Sequence, residues 1–155
     1  MAIEIGKAAP DFTLYNSEKS EVTLSSFKGK NVVLLFFPLA FTGVCTAELC
    51  SMRDDIATYS SLDAEILALS VDSLFTLEKF KEEQKLPFHL LSDFNKKVSA
   101  DYGALYGNFV LGMEGVSKRA AFVIDKEGVV RYAEVLESAG DLPNFDDVKA
   151  TLKAL

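Results

Sequence analysis

Six consecutive apolar residues, Val32-Val33-Leu34-Leu35-Phe36-Phe37, constrain this chain more than any other stretch. A run without alternation gives a strand no polar face, so other parts of the chain must cover it on both sides. The flanking periodicities supply that cover. Beyond Pro38, the residues Cys45, Leu49, Met52, Ile56 and Tyr59 recur at helical spacing and mark the buried stripe of a helix over residues 44–59. Ile66 to Val71 reads as the next strand. Ser73 can cap a helix from Leu74 to about Lys85, which Leu86-Pro87 stops. This is a βαβ order in the middle of the chain.

The ends of the chain add antiparallel pieces. Asp11 to Tyr15 and Glu21 to Leu24 read as short strands around a turn at Asn16 to Ser20. His89 to Leu91 is a short strand, and Asn95 to Tyr102 a brief helix ending at Gly103. Tyr102 to Gly115 reads mostly as loop. Ala120 to Asp125 and Val129 to Val135 form a hairpin around Lys126-Glu127-Gly128. The acidic Asp141 to Asp147 segment leads into a last helix, Phe145 to Ala154, whose acidic start suits the positive helix end. The expected fold class is α/β, with a mixed central sheet and helices on both faces.

A length of 155 residues favours one domain over 1–155. Hydrophobic content of 49% supplies a core, and a net charge of −7 argues against a nucleic-acid footprint or an anionic membrane surface. No basic segment with an apolar run follows Met1, and no apolar stretch approaches the roughly 20 residues that span a bilayer. Two cysteines are too few for a disulfide framework, so a reducing compartment, the cytoplasm, is expected.

Chemistry concentrates after the apolar run. Cys45 opens the helix that follows Pro38. The first N–H groups of a helix lack internal partners and carry partial positive charge, so a thiolate there is stabilised and its reactivity rises. A small buried cysteine used as core filler fits the same position. His89, the one histidine, sits in an apolar stretch and reads as structural. The chain has no C-x-x-C, no G-x-G-x-x-G, no P-loop, no H-E-x-x-H and no G-x-S-x-G, and no convincing metal-ligand spacing.

Pro38, Thr42 and Cys45 form P-x-x-x-T-x-x-C, which resembles the active-site signature of the peroxiredoxins, the AhpC/TSA group of thiol-dependent peroxidases. Pro10-Asp11-Phe12, the apolar strand and Arg119-Ala120-Ala121-Phe122-Val123-Ile124-Asp125 fit the same family in order and approximate distance. The resemblance covers nearly the whole chain. It implies a thioredoxin-like fold with an N-terminal extension. It also implies an enzyme that reduces hydrogen peroxide or organic hydroperoxides without cofactor or metal.

Cys45 then becomes the nucleophile, oxidised to sulfenic acid. Thr42 supplies a hydroxyl, Arg119 a permanent charge with donors in a fork, and Pro38 a rigid wall that shields the sulfur. Each has a plainer reading: Thr42 as an N-cap, Arg119 as a surface charge, Pro38 as a strand end. Glu48 fits a charged partner near the pocket, to Arg53 or to a reductase, and equally a solvated residue of the first turn.

Cys50 divides the resemblance. Its C-x-x-x-x-C spacing matches the resolving cysteine of Q-type peroxiredoxins, the bacterioferritin comigratory protein group. The Pro38-Leu39-Ala40-Phe41-Thr42-Gly43 stretch is nearer the one-cysteine alkyl hydroperoxide reductase E type. Five residues of helix separate Cα atoms by about 8.6 Å. A disulfide wants less than about 7 Å, so a Cys45–Cys50 bond requires the helix to unwind. The implied partners are a peroxide and a thiol reductant, thioredoxin-like or of low molecular weight, with a homodimer by analogy and neither nucleic acid nor membrane. A redox-sensing or chaperone-like protein of little turnover is the alternative.

Overall fold

The structure, a computed structural model, describes residues 3–155. Five strands form one sheet: β3 (Asn31–Phe36), β4 (Ala64–Ser70), β5 (His89–Ser92), β6 (Arg119–Ile124) and β7 (Val130–Leu136), in the spatial order β5-β4-β3-β6-β7. The first three run parallel, β6 is antiparallel to β3, and β7 is antiparallel to β6. Two short strands, β1 (Thr13–Tyr15) and β2 (Glu21–Thr23), make a separate hairpin. Its turn is held by the Asn16 side chain, whose Oδ1 accepts from the N–H groups of Glu18 and Ser20.

β3 is central, and every one of its residues is buried. Val33, Leu35 and Phe37 face the helices α1 (Gly43–Asp54), α3 (Leu74–Gln84) and α5 (Phe145–Lys153), packing with Leu49, Phe80 and Val148. Val32, Leu34 and Phe36 face the opposite way, toward Phe12, Tyr102 and Phe122 and the short helix α4 (Lys97–Asp101). Each large apolar side chain buried this way contributes about 1.5–3 kcal/mol, which is why an apolar run without alternation ends up between two layers. The mixed sheet with helices on both faces is the expected one.

One expected helix is two. Residues 44–59 do not run unbroken: α1 ends at Asp54 and α2 (Ile56–Ser61) begins after Asp55. Asp55 leaves helical geometry at φ −105° and ψ 14°. Its carboxylate accepts from the Thr58 hydroxyl and pairs with Lys149 of α5, which holds the break in place. The buried stripe survives, because Cys45, Leu49, Met52 and Tyr59 still enter one core and Ile56 packs at its edge. His89 is structural: its Nδ1 lies 3.4 Å from Asn16 Nδ2, and its ring meets the edge of Phe27. Among the described residues no helix is long and apolar enough to cross a membrane.

Candidate active site

The site grows from the C-terminal end of β3. Phe37 still donates to Leu69 O at 3.0 Å, and Pro38 then ends the pairing, as a residue without an N–H must. The turn is pinned from β4: Asp72 Oδ2 accepts from Ala40 N–H at 2.8 Å and from the Ser70 hydroxyl at 2.6 Å. Phe41 takes a left-handed φ of +67°, uncommon for a bulky residue, with its ring against Phe80 at 5.1 Å. Thr42 returns to extended geometry and stands at the N-cap of α1, yet its hydroxyl makes no cap bond. It donates instead to Leu39 O at 2.7 Å, which leaves its lone pairs free to accept. Cys45 follows in the first turn of α1, 1% exposed.

Topology brings the cation. Because β6 runs antiparallel to β3 with Ala120 opposite Phe36, the first residue of β6 lies beside the end of β3. That residue is Arg119, 1% exposed. Its Nη2 donates to Cys45 Sγ at 3.2 Å and to Ala139 O at 2.9 Å, its Nε to Ala139 O at 3.2 Å, and its Nη1 to Glu48 Oε1 at 2.8 Å. Burial works against the Arg119 charge, but the Glu48 carboxylate and the Cys45 sulfur more than offset it and raise its pKa.

Glu48 is 0% exposed and is the counter-ion of this guanidinium. Arg53 does not touch it. Arg53 binds Asp54 and Gln84, so neither the Arg53 pairing nor the solvated reading of Glu48 holds. The signal was present in the sequence, since a residue three positions after Cys45 shares its inward face. Burial drives the Glu48 carboxyl up to about 7 against the opposing pull of Arg119, and its Oε2 has no hydrogen-bond partner. The carboxyl therefore titrates near neutrality, one guanidinium away from the sulfur.

Pro38, Thr42, Cys45 and Arg119 line one cavity of about 390 Å³. Its other wall is Phe109, Val110, Leu111 and Met113, from a stretch that carries no periodicity in the sequence. A 3₁₀ turn at Val110–Gly112 lies there, with Leu111 at φ +57° and 94% exposed. The carbonyl of Ala139, a backbone acceptor with no residue-type signal, holds Arg119 from the segment after β7. Cys50 stands apart on the same unbroken α1, half-buried, with its Sγ 3.3 Å from Gln84 Oε1. Both thiols are free. The Cys45 sulfur is thus buried beside a guanidinium and the first N–H groups of a helix, in a cavity with an apolar wall.

Residues 5–133 match the sequence profile of the AhpC/TSA family. The chain is 39% identical over 136 residues to alkyl hydroperoxide reductase E of Mycobacterium tuberculosis, covering 86% of each protein. It is 43% identical over 130 residues to peroxiredoxin Bcp of Bacillus subtilis, covering 83% of this chain and 82% of that one. Among solved structures, peroxidoxin BcpB from Mycobacterium tuberculosis superposes with a TM-score of 0.86 at 31% identity, over 99% of this chain and 98% of that one.

Proposed function

Because the chain belongs to the AhpC/TSA family and is a thiol-dependent peroxidase, we propose that Cys45 is the sulfur that attacks the peroxide. Its substrates are a peroxide and a thiol reductant. The observation that carries the reading is the 3.2 Å contact between Arg119 Nη2 and Cys45 Sγ inside a buried site. The Cys45 thiolate attacks the terminal oxygen of R–O–O–H, the O–O bond breaks, and Cys45–S–OH forms as RO⁻ leaves. Solvent returns a proton to RO⁻, giving an alcohol or water. Thr42 Oγ1, its own hydrogen committed to Leu39 O, accepts from the peroxide O–H and aims the terminal oxygen at sulfur. Arg119 and the free N–H groups at the start of α1 face the charge that develops on oxygen. Pro38 closes the cavity beside the sulfur. Glu48 holds Arg119 in place from behind.

In this reading Cys50 resolves the sulfenic acid. Cys45–S–OH and the Cys50 thiol give a disulfide and water, and the reductant then restores both thiols. The 155 residues act as one domain, and a reducing cytoplasm suits two thiols that must be restored after every turnover. The exposed apolar side chains of Phe41 and Leu111 by the cavity offer a face for a second copy, and sedimentation of the reduced protein would reveal the homodimer.

The test of the whole reading is Cys45→Ser, which should remove peroxidase activity, because a hydroxyl stays protonated where a thiol ionises. Retention of more than a few per cent of wild-type kcat/KM would sink it. Cys50→Ser should keep the first oxidation and let sulfenic acid accumulate and over-oxidise. Normal turnover of that variant would leave Cys45 in its role and remove Cys50 from its own.

A further inference from the structure

The geometry points to Gln84 and Arg53 as positioning residues for Cys50, a clamp that holds the Cys50 end of α1 against α3 while the Cys45 end unwinds. This inference rests on the reading that Cys50 resolves Cys45.

Gln84 grips α1 at two points. Its side-chain Oε1 lies 3.3 Å from Cys50 Sγ, and its backbone carbonyl accepts from Arg53 Nη1 at 2.6 Å. That carbonyl is available because Gln84 is the last residue of α3, where helix carbonyls lack internal partners. Lys85 turns the chain away in a left-handed conformation at φ +54°, its N–H bonded to Lys81 O, which fixes the end of α3. Arg53 is held in turn by Asp54, with Nε 3.0 Å from Oδ1. The Cys50–Asp54 half of α1 is thus tied to a neighbouring helix by side-chain and backbone bonds together.

The other half is tied to β6 through Arg119 alone, at Glu48 and at the Cys45 sulfur that oxidation changes. Gly43, Val44 and Ala47 are exposed, and the Thr42 hydroxyl gives the helix no cap. The uncapped, exposed turn ahead of Cys45 opens locally at low cost. Cys50 is tied to α3 by contacts that oxidation of Cys45 leaves intact, whereas the Arg119 contact to Cys45 runs through the oxidised sulfur itself. Cys45, oxidised, travels, and Cys50 waits at a fixed place.

The Gln84 amide also suits both protonation states of a resolving thiol. Its oxygen accepts from the resting S–H. A half-turn of the amide presents its NH₂ to the thiolate as the proton leaves. Arg53 adds positive charge beside that sulfur. In the resolving step the Cys50 sulfur bonds to the Cys45 sulfur, the S–OH bond breaks, and hydroxide leaves as water with the thiol's proton.

The experiment follows the full chain after one equivalent of hydrogen peroxide. Samples are quenched over time and weighed without reductant, so that sulfenic acid and disulfide are counted separately. Gln84→Met should slow the conversion of sulfenic acid to Cys45–Cys50 disulfide about tenfold, and Arg53→Met should slow it by a similar factor. In a Cys45→Ser background, Gln84→Glu should cut the alkylation rate of Cys50 several-fold at pH 8, because the new negative charge opposes the thiolate. An unchanged rate would place the Gln84 side chain away from the Cys50 sulfur and overturn the clamp. Equal conversion rates in wild type and both methionine variants overturn the clamp and leave Cys50 as resolver. Absence of any Cys45–Cys50 linkage in oxidised wild type overturns the resolving reading, and the clamp's purpose with it.

Discussion

At one end of α1 a thiol is buried beside a guanidinium, and five residues on a second thiol lies half-buried beside a neutral amide. Both are free cysteines on one helix, so helix propensity cannot separate them. What separates them is the neighbouring element. The first meets β6, which arrives antiparallel with a charged residue at its start. The second meets the C-terminal end of α3, which offers a carbonyl and a side-chain amide. The first environment supplies charge and excludes water, which a nucleophile toward peroxide needs. The second supplies anchorage and partial exposure, which would suit the resolving role proposed for Cys50. In the proposed cycle, one helix would serve two chemical steps through what packs against each end.

The comparison breaks most severely at Arg119. Arg119→Met should remove the cation from the sulfur and slow oxidation of Cys45 by roughly 10²-fold or more, the scale of a lost preorganised donor. Stopped-flow mixing with peroxide followed by sulfenic-acid trapping measures it. Wild-type oxidation in this variant would place the charge outside the chemistry. Cys50 alkylation should hardly respond, because its contacts lie on α3.

A smaller effect belongs to Thr42. Thr42→Val keeps the shape and removes the acceptor that aims the peroxide, with an expected loss of about tenfold in the oxidation rate, the worth of one hydrogen bond to a charged transition state. Thr42→Ser should restore most of it. Equal losses in both variants would mean that the methyl group packs and the hydroxyl does nothing.

Much of this site is legible in the sequence. β3 is legible because a run such as Val32 to Phe37 has one physical solution, burial on both faces. Pro38, Thr42 and Cys45 are legible because they lie within one turn and one helix start. The partner of Glu48 is not, because Arg119 is 71 residues away and reaches it only through the antiparallel register of β3 and β6. The Ala139 carbonyl is equally hidden, since a backbone acceptor leaves no residue-type signal. The break at Asp55 is a tertiary decision: Lys149 of α5 and Thr58 together outbid one more helical residue, while the apolar stripe runs on across the gap. The wall around Leu111 lies in a glycine-containing loop without periodicity, where pattern reading has nothing to count.

The finest distinction between the two ends of α1 is a proton on Glu48. Its carboxyl, pushed up to about 7 from an ordinary value of 4.5 by burial, binds a proton in the folded protein at pH values where the unfolded chain has released it. The folded state thus holds more protons between about pH 4.5 and 7, and the stability contributed by this group is fully present below that window and lost as pH rises through it. Glu48→Gln removes the titration and keeps the shape. Urea midpoints of wild type should fall from pH 5 to pH 7.5 relative to those of Glu48→Gln, whose own curve lacks this component. The oxidation rate of Cys45 should follow the same proton. Ionised Glu48 holds Arg119 Nη1 by charge, whereas neutral Glu48 holds it by a weaker bond, so the orientation of Nη2 toward the sulfur loosens by a few-fold in rate as the pH falls below 7. Gln84 and Arg53 do not touch Glu48, so Cys50 alkylation should lack this inflection. Parallel pH profiles for wild type and Glu48→Gln, in both stability and oxidation, would show that Glu48 stays charged throughout and only packs against Arg119.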